Sequence, residues 1–335
     1  MKLKTTLLGY LIAAIVFLPM QLCAADYYAC QNSQNINGDT TWCTAAHRTG
    51  SCTGDGTYTS WATITTSDVL HANGCTVVIP NTASTKYDVS KITNKTDGTG
   101  TDGGQFTYVT AADYTPEVAA DLETGGTTGA CLAITGTSGA GLKIGYTEAI
   151  TIDAGSAAAM YGVSDGHSGA SNDVYIGHAS YPATINGGSH ATAYGMLKNG
   201  TGTTHVAATS TGAAGPGFTA MAGTVNYSGS CVGSNSANVG AGCNGGSSTV
   251  VFNFTGKDIS GTHSVGIIGK VIYTPAATDY ILRAKDASYT RGTVDEHAVE
   301  MPTDPGVSNV ETGTTYGSFT GTLEVTGSGS SPYAY

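Results

Sequence analysis

The length of the apolar runs restricts the fold of this chain more than any other feature. The runs hold only a few residues, are rich in Val and Ile, and stop at Gly, Asn, Asp or Ser. They are Thr76–Ile79, Cys131–Ile134, Leu142–Ile144, Ile150–Ile152, Val174–Ile176, Thr249–Phe254, Val265–Ile268, Val271–Tyr273, Tyr280–Leu282 and His297–Met301. Runs this short bounded by turn residues predict β-strands and are too brief for core helices. Helical spacing is present once: Ser60 is placed to cap a helix in which Trp61, Ile64 and Thr65 share a face with Asp68 and Val69, ending near Gly74. With no helices between the strands, doubly wound and TIM-type α/β folds are excluded. Charged residues are only 11% of the chain and Gly supplies 48 of 335 positions, a composition a disordered linker could share. The hydrophobic share of 40%, gathered into β-branched clusters, points instead to an ordered, turn-rich all-β protein.

The first 25 residues read as a secretory signal peptide. Lys2 and Lys4 precede an apolar stretch from Leu7 to Leu18, Pro19 breaks it, and Cys23, Ala24 and Ala25 offer small residues before Asp26. The stretch falls short of the ~20 residues that a membrane span needs, which argues against an anchor. Lipidation of a retained Cys23 is the other alternative, disfavoured because Leu22 stands where lipoprotein signals carry a small residue. Lys2 and Lys4 are two of 13 basic residues; without them 11 stand against 24 acidic ones, a formal net charge of −13. That balance, with no basic stripe, excludes nucleic acid and anionic membrane as partners. The expected location is extracellular or on the cell surface, with no membrane insertion after the leader is removed.

Seven cysteines remain in the mature chain, and in an exported protein they read first as disulfides. Cys231 and Cys243 flank a Gly/Ser/Asn loop and form the best pair. Cys30, Cys43, Cys52 and Cys75 are expected to pair among themselves in one of three connectivities, leaving Cys131 in a strand as the odd one out. A zinc site for the first four lacks any CxxC spacing.

A helix leading into Gly74–Asn81 (GCTVVIPN), followed by Gly-punctuated short strands for over two hundred residues, resembles the secreted right-handed parallel β-helix proteins of the pectate-lyase-like superfamily. The resemblance runs from about Tyr58 to Met301 and is one of pattern, with no invariant motif. It implies a solenoid opened by a short N-terminal capping helix, with residues 26–75 as a cysteine-rich cap, 76–301 as the β-helix body and 302–335 as a C-terminal strand and tail. Stacked coils would bury a narrow column of Val, Ile and Leu and leave Gly, Asn and Asp at the corners. Residues 199–248, almost entirely Gly, Thr, Ser, Ala and Asn, are either an excursion from the solenoid or a set of thin coils packed on Ala and Val. An antiparallel β-sandwich is the structural alternative.

Sugar-cleaving members of that group place carboxylates on adjacent coils, either to hold calcium against an acidic sugar or as an acid–base pair. The densest polar group here is Asp153, Asp165, His167, Asp173 and His178, with Arg283, Lys285 and Arg291 as basic partners. Arg283-Ala-Lys285 matches the Arg-x-Lys element of the polygalacturonase-type hydrolases, but the paired Asp-Asp and Gly-His-Gly elements are missing. The expectation is that these Asp and His residues are turn formers and solvated corners, with no catalytic residue assigned and no cofactor other than a calcium ion held by carboxylates. Asp295, Glu296 and His297 read as a solvated loop. Nineteen tyrosines offer flat apolar faces with polar tips, which suit stacking on sugars or on another protein and equally suit half-exposed strand positions.

Past the break at Pro302 and Pro305, Tyr316–Val325 is expected to form a strand or hairpin, and the tail ends in Tyr333 and Tyr335. This end has no Lys or Pro to guard a strand edge, so Tyr316, Phe319, Tyr333 and Tyr335 are the expected interface for self-association or docking to cell-surface components. The sequence thus predicts an exported, non-catalytic structural or adhesive protein. A polysaccharide lyase or hydrolase and a glycan-binding module are the alternatives.

Overall fold

The computed structural model describes residues 24–44, 57–94, 104–110, 114–125, 129–139, 141–169, 173–234, 240–245 and 250–254, with six short strands beyond them. Those strands are Asp258–Ser260, Ile267–Gly269, Ile272–Tyr273, Ile281–Leu282, Thr315–Tyr316 and Phe319–Thr320.

The short strands stack in two sheets, one of 16 strands and one of 9, and within both the pairing is mainly parallel. Each circuit of the chain lays one rung on each sheet and returns one rung further along, which makes the body an all-β, solenoid-like stack. The rungs are joined by backbone hydrogen bonds at the usual parallel spacing of about 4.8 Å. Parallel pairing rules out the β-sandwich, whose sheets are antiparallel.

Register explains the sequence pattern. In the larger sheet Tyr87, Val118, Ile144, Ile176, Val206, Tyr227 and Phe254 pair rung to rung, all of them buried. A second inward column runs Leu70, Ile92, Leu122, Ile152, Ile185, Ser210 and Cys231. The smaller sheet faces them with Val77, Phe106, Leu132, Val163, Met196, Phe218 and Cys243. Because side chains alternate across a strand, only two or three residues per rung need be apolar, hence the brevity of the runs.

The circuit length varies. Val163 pairs with Met196, 33 residues on, whereas Val206 pairs with Tyr227, only 21 residues on. The short circuits fall in the Gly/Thr/Ser/Ala-rich region, which is a set of thin coils and no excursion. Long strands at Thr203–Thr211 and Thr224–Val232 carry it, with Val206, Ala208, Phe218, Val225 and Tyr227 as core.

The helix expected from Ser60 to Gly74 is corrected to a single 3-10 turn, Trp61–Thr63, in which the Ser60 hydroxyl accepts from the Ala62 N–H. Asp68 ends it. Its carboxylate accepts the N–H groups of Thr65 (2.7 Å) and Ala25 (2.9 Å), fixing a turn that releases Val69–His71 to pair in parallel with Asp26–Tyr28. The two sheets therefore already include Asp26–Ala29 and Gln34–Asn35.

Cys231 is bonded to Cys243, joining two facing inward columns, and Cys30 is bonded to Cys43. Cys75 is also disulfide-bonded, Cys52 lies outside the described residues, and Cys131 is buried and free. The disulfides fit a chain that folds in an oxidising compartment. Among the described residues no helix is long and apolar enough to cross a membrane. Thr315–Tyr316 and Phe319–Thr320 form a small antiparallel pair at the start of the stretch expected to be a strand or hairpin; Tyr333 and Tyr335 lie outside the described residues.

Candidate functional site

Polar side chains collect in two places, one outside the stack and one inside it. The outer group is the row that alternates with the first buried column of the larger sheet. Its members pair rung to rung as Lys86, Glu117, Lys143, Tyr175, His205, Asn226 and Asn253. Charge occupies one end, aromatic rings the middle and amides the other end.

The middle is a continuous ring surface. Tyr175 stacks on His205 with centroids 4.8 Å apart and planes 11° from parallel. Tyr146 meets Tyr175 edge-on at 5.8 Å, packs against His178 at 4.7 Å, and carries the Lys143 ammonium 4.6 Å over its own ring. Tyr146 sits in the turn after Lys143–Ile144, and His178 in the turn after Val174–Ile176, so both flank the row. Partial burial, with the Asp173 carboxylate as a second cause, pushes the Tyr175 phenol up.

A directional chain of hydrogen bonds orients the polar end. Asn253 Nδ2 donates to Asn226 Oδ1 (2.8 Å), Asn226 Nδ2 lies 3.5 Å from His205 Nδ1, and His205 Nε2 lies 3.1 Å from Asp173 Oδ2. The polarity is self-consistent: Asp173 accepts from Nε2–H, which leaves Nδ1 to accept from the amide. A half-exposed surface of stacked rings flanked by oriented amides and a carboxylate can stack on apolar sugar faces and bond hydroxyls at their rims.

The inner group interrupts an apolar column. Tyr108, Ile134, Asp165, Lys198 and Ala220 are rung neighbours on the smaller sheet, and the two charged members are fully buried. Asp165 Oδ1 faces His167 Nδ1 at 2.5 Å, its Oδ2 accepts from the Thr204 hydroxyl at 2.6 Å, and Lys198 Nζ stands 3.7 Å from Oδ2. Lys198 also donates to the carbonyls of Gly200 (2.6 Å) and His167 (3.4 Å). Burial draws the Lys198 ammonium below the usual lysine range against the opposing pull of Asp165. His167 Nε2 is buried without a partner and presses on Gly202, where a Cβ would come within 2.1 Å of it. Only glycine fits there.

The five Asp and His residues singled out in the sequence thus divide. Asp165 and His167 lie inside, which corrects the expectation of solvated corners. Asp173 and His178 border the outer row, and Asp153 sits apart at the end of Thr151–Asp153, accepting from Asn186 Nδ2 at 2.7 Å. Arg283, Lys285, Arg291 and the Asp295–His297 cluster lie outside the described residues. Among the described residues no three His, Cys, Asp or Glu side chains are grouped to hold a metal ion. Lys198, Thr204, His205, Tyr146 and Tyr175 were not legible as site residues, because only the register brings them to their partners.

No protein family model, no curated protein and no solved structure matches the chain.

Proposed function

We propose that this chain is an exported, non-catalytic adhesive protein, a right-handed parallel β-helix of the pectate-lyase-like kind that grips a neutral polysaccharide along its larger sheet. The outer row carries the reading: Tyr175 stacks on His205 at rung spacing and meets the flanking Tyr146 edge-on, an aromatic surface continued by the bonded amides of Asn226 and Asn253. A linear polymer lying along the stack meets a ring or an amide at each of four successive rungs, Tyr175, His205, Asn226 and Asn253, which suits an extended ligand better than a compact one. The acidic balance of the chain and the nearby Asp173 and Glu148 favour uncharged sugars over polyuronates.

The Asp173–His205 pair favours a second reading, a polysaccharide lyase or hydrolase, with calcium among its possible needs. Against it, Asp165 is sealed inside and Asp153 is held by Asn186 on a separate row.

The test is binding of the mature protein to immobilised neutral and acidic polysaccharides, with product analysis of the same samples. Retention on a neutral glycan, lost at least ten-fold on Tyr175→Ala with the fold intact and without chain cleavage, is the expected result. Release of shortened or unsaturated sugars would replace the adhesive reading by the enzymatic one.

A further inference from the structure

We propose that Asp165 and Lys198 become joined by an amide bond that the folded chain makes for itself, fastening two successive rungs of the smaller sheet. Three observations carry this. The residues are direct rung partners on parallel strands, Met160–Asp165 and Tyr194–Lys198, so the backbone ladder holds them side by side. Both side chains are fully buried, with Lys198 Nζ 3.7 Å from Asp165 Oδ2. The carboxyl group is clamped on both oxygens, by His167 Nδ1 on Oδ1 and by the Thr204 hydroxyl on Oδ2.

A buried ion pair is an unstable arrangement in chemical terms. In the proposed first step a proton passes from Lys198 to Asp165, which leaves a neutral amine beside a neutral acid. The burial that lowers the Lys198 affinity for protons works in the same direction.

In the neutral pair the acid proton sits on Oδ1 against His167 Nδ1. The Nζ lone pair forms the C–N bond at Cγ while the π pair of the carbonyl moves onto Oδ2, where the Thr204 hydroxyl holds it. The nitrogen sheds one proton, which reaches the Oδ1 hydroxyl through His167 Nδ1. The Cγ–Oδ1 bond then breaks, water departs and the carbonyl to Oδ2 re-forms. One acid and one amine become one amide and one water, with nothing oxidised or reduced. Positioning replaces an external activating group, and proximity of this kind is worth several orders of magnitude in rate. The product removes both charges from the interior and with them the desolvation penalty of the pair.

Intact-mass measurement of the mature full chain, reduced and alkylated, tests the proposal. The expected mass is lower than that of the sequence by one water. Trypsin should fail to cut after Lys198, and a chymotryptic digest should contain a branched peptide joining the Asp165 and Lys198 segments. The full sequence mass together with cleavage after Lys198 in folded wild-type protein overturns the proposal, whatever the variants do. Lys198→Met is expected to restore the missing water. His167→Gln is expected to slow bond formation about a hundred-fold, the usual scale for loss of a proton carrier; an unchanged rate removes His167 from the mechanism.

Discussion

Replacing Tyr227 measures how the thin coils hold together where the sequence is poorest in large apolar residues. Its ring is fully buried against Phe252 and Phe254 of the next rung, both stacked at 5.8 Å, and meets Phe218 edge-on at 5.7 Å. The hydroxyl donates to Ser210 Oγ at 2.7 Å, tying the packed ring to a polar residue on the neighbouring inward column. Tyr227→Phe keeps the ring and removes that bond, leaving a buried serine short of a partner, a loss of about 1–2 kcal/mol. Tyr227→Ala adds the cavity of a deleted aromatic, about 3–5 kcal/mol, with the ring pairs themselves worth about 0.5–1.5 kcal/mol each beyond area. At an unfolding entropy of about 2.1 cal/mol/K per residue, a chain of about 300 residues shifts by about 1.5 °C per kcal/mol, so Tyr227→Phe should lower Tm by about 1.5–3 °C and Tyr227→Ala by about 6–10 °C. Thermal unfolding followed by far-ultraviolet circular dichroism reads both. If both variants fall within 0.5 °C of wild type, the aromatic knot does not carry the thin coils. If the two losses are equal, the hydrogen bond and not the packing dominates, and the argument from ring contacts fails.

Further outcomes follow from the same structure. Replacing Cys231 and Cys243 together by serine should lower stability by about 3 kcal/mol in the chain-entropy model, read as a shift of the denaturation midpoint under non-reducing conditions. Burial pushes the Cys131 thiol up to about 12, so iodoacetamide at neutral pH should label it only after denaturant is added; labelling of native protein would mean that the interior opens there. Burial also raises the phenols of Tyr108, to about 12, and of Tyr227. The hydrogen bond that Lys91 donates to the Glu123 carboxylate raises its ammonium. A folded-state value above the unfolded one gives stability that is complete below the unfolded value and lost as pH climbs through the folded one. Denaturation midpoints should therefore be flat for these groups up to about pH 9 and fall beyond pH 10, and Tyr227→Phe should flatten that fall. Lys198 has the opposite sign where it is still a free amine, its burden easing as pH rises.

Much of the architecture was legible because a solenoid is written locally. Val174–Ile176 or Cys131–Ile134, each flanked by turn residues, needs only itself to declare a strand, and parallel stacking needs only that such strands recur. The loop between Cys231 and Cys243 was equally local. Register was not. A circuit of 33 residues at Val163 and of 21 at Val206 has no common period, so nothing in the chain says that Asp165 sits beside Lys198 or Tyr175 beside His205. The long strand Thr203–Thr211 was hidden for another reason: Thr, Ala and Ser alternate with only one large apolar residue, Val206. Its burial depends on Tyr227 and Phe218 filling the space that small side chains leave. The helix expected after Ser60 failed because Asp68, counted as one more residue on its face, instead uses its carboxylate to close a turn.

Binding as a function of ligand length tests the central claim most directly. From Lys143 to Asn253 the outer row spans four rung intervals, about 19 Å at the parallel-strand spacing. Calorimetric titration with oligosaccharides of increasing length, cut from whichever neutral polysaccharide retains the protein, should show affinity rising until the ligand covers about 19 Å and then levelling. Tyr175→Ala should break the row one rung from its Lys143 end and shorten the rise. A monosaccharide that binds as tightly as the longest chain, or a length dependence unchanged by Tyr175→Ala, would contradict the account.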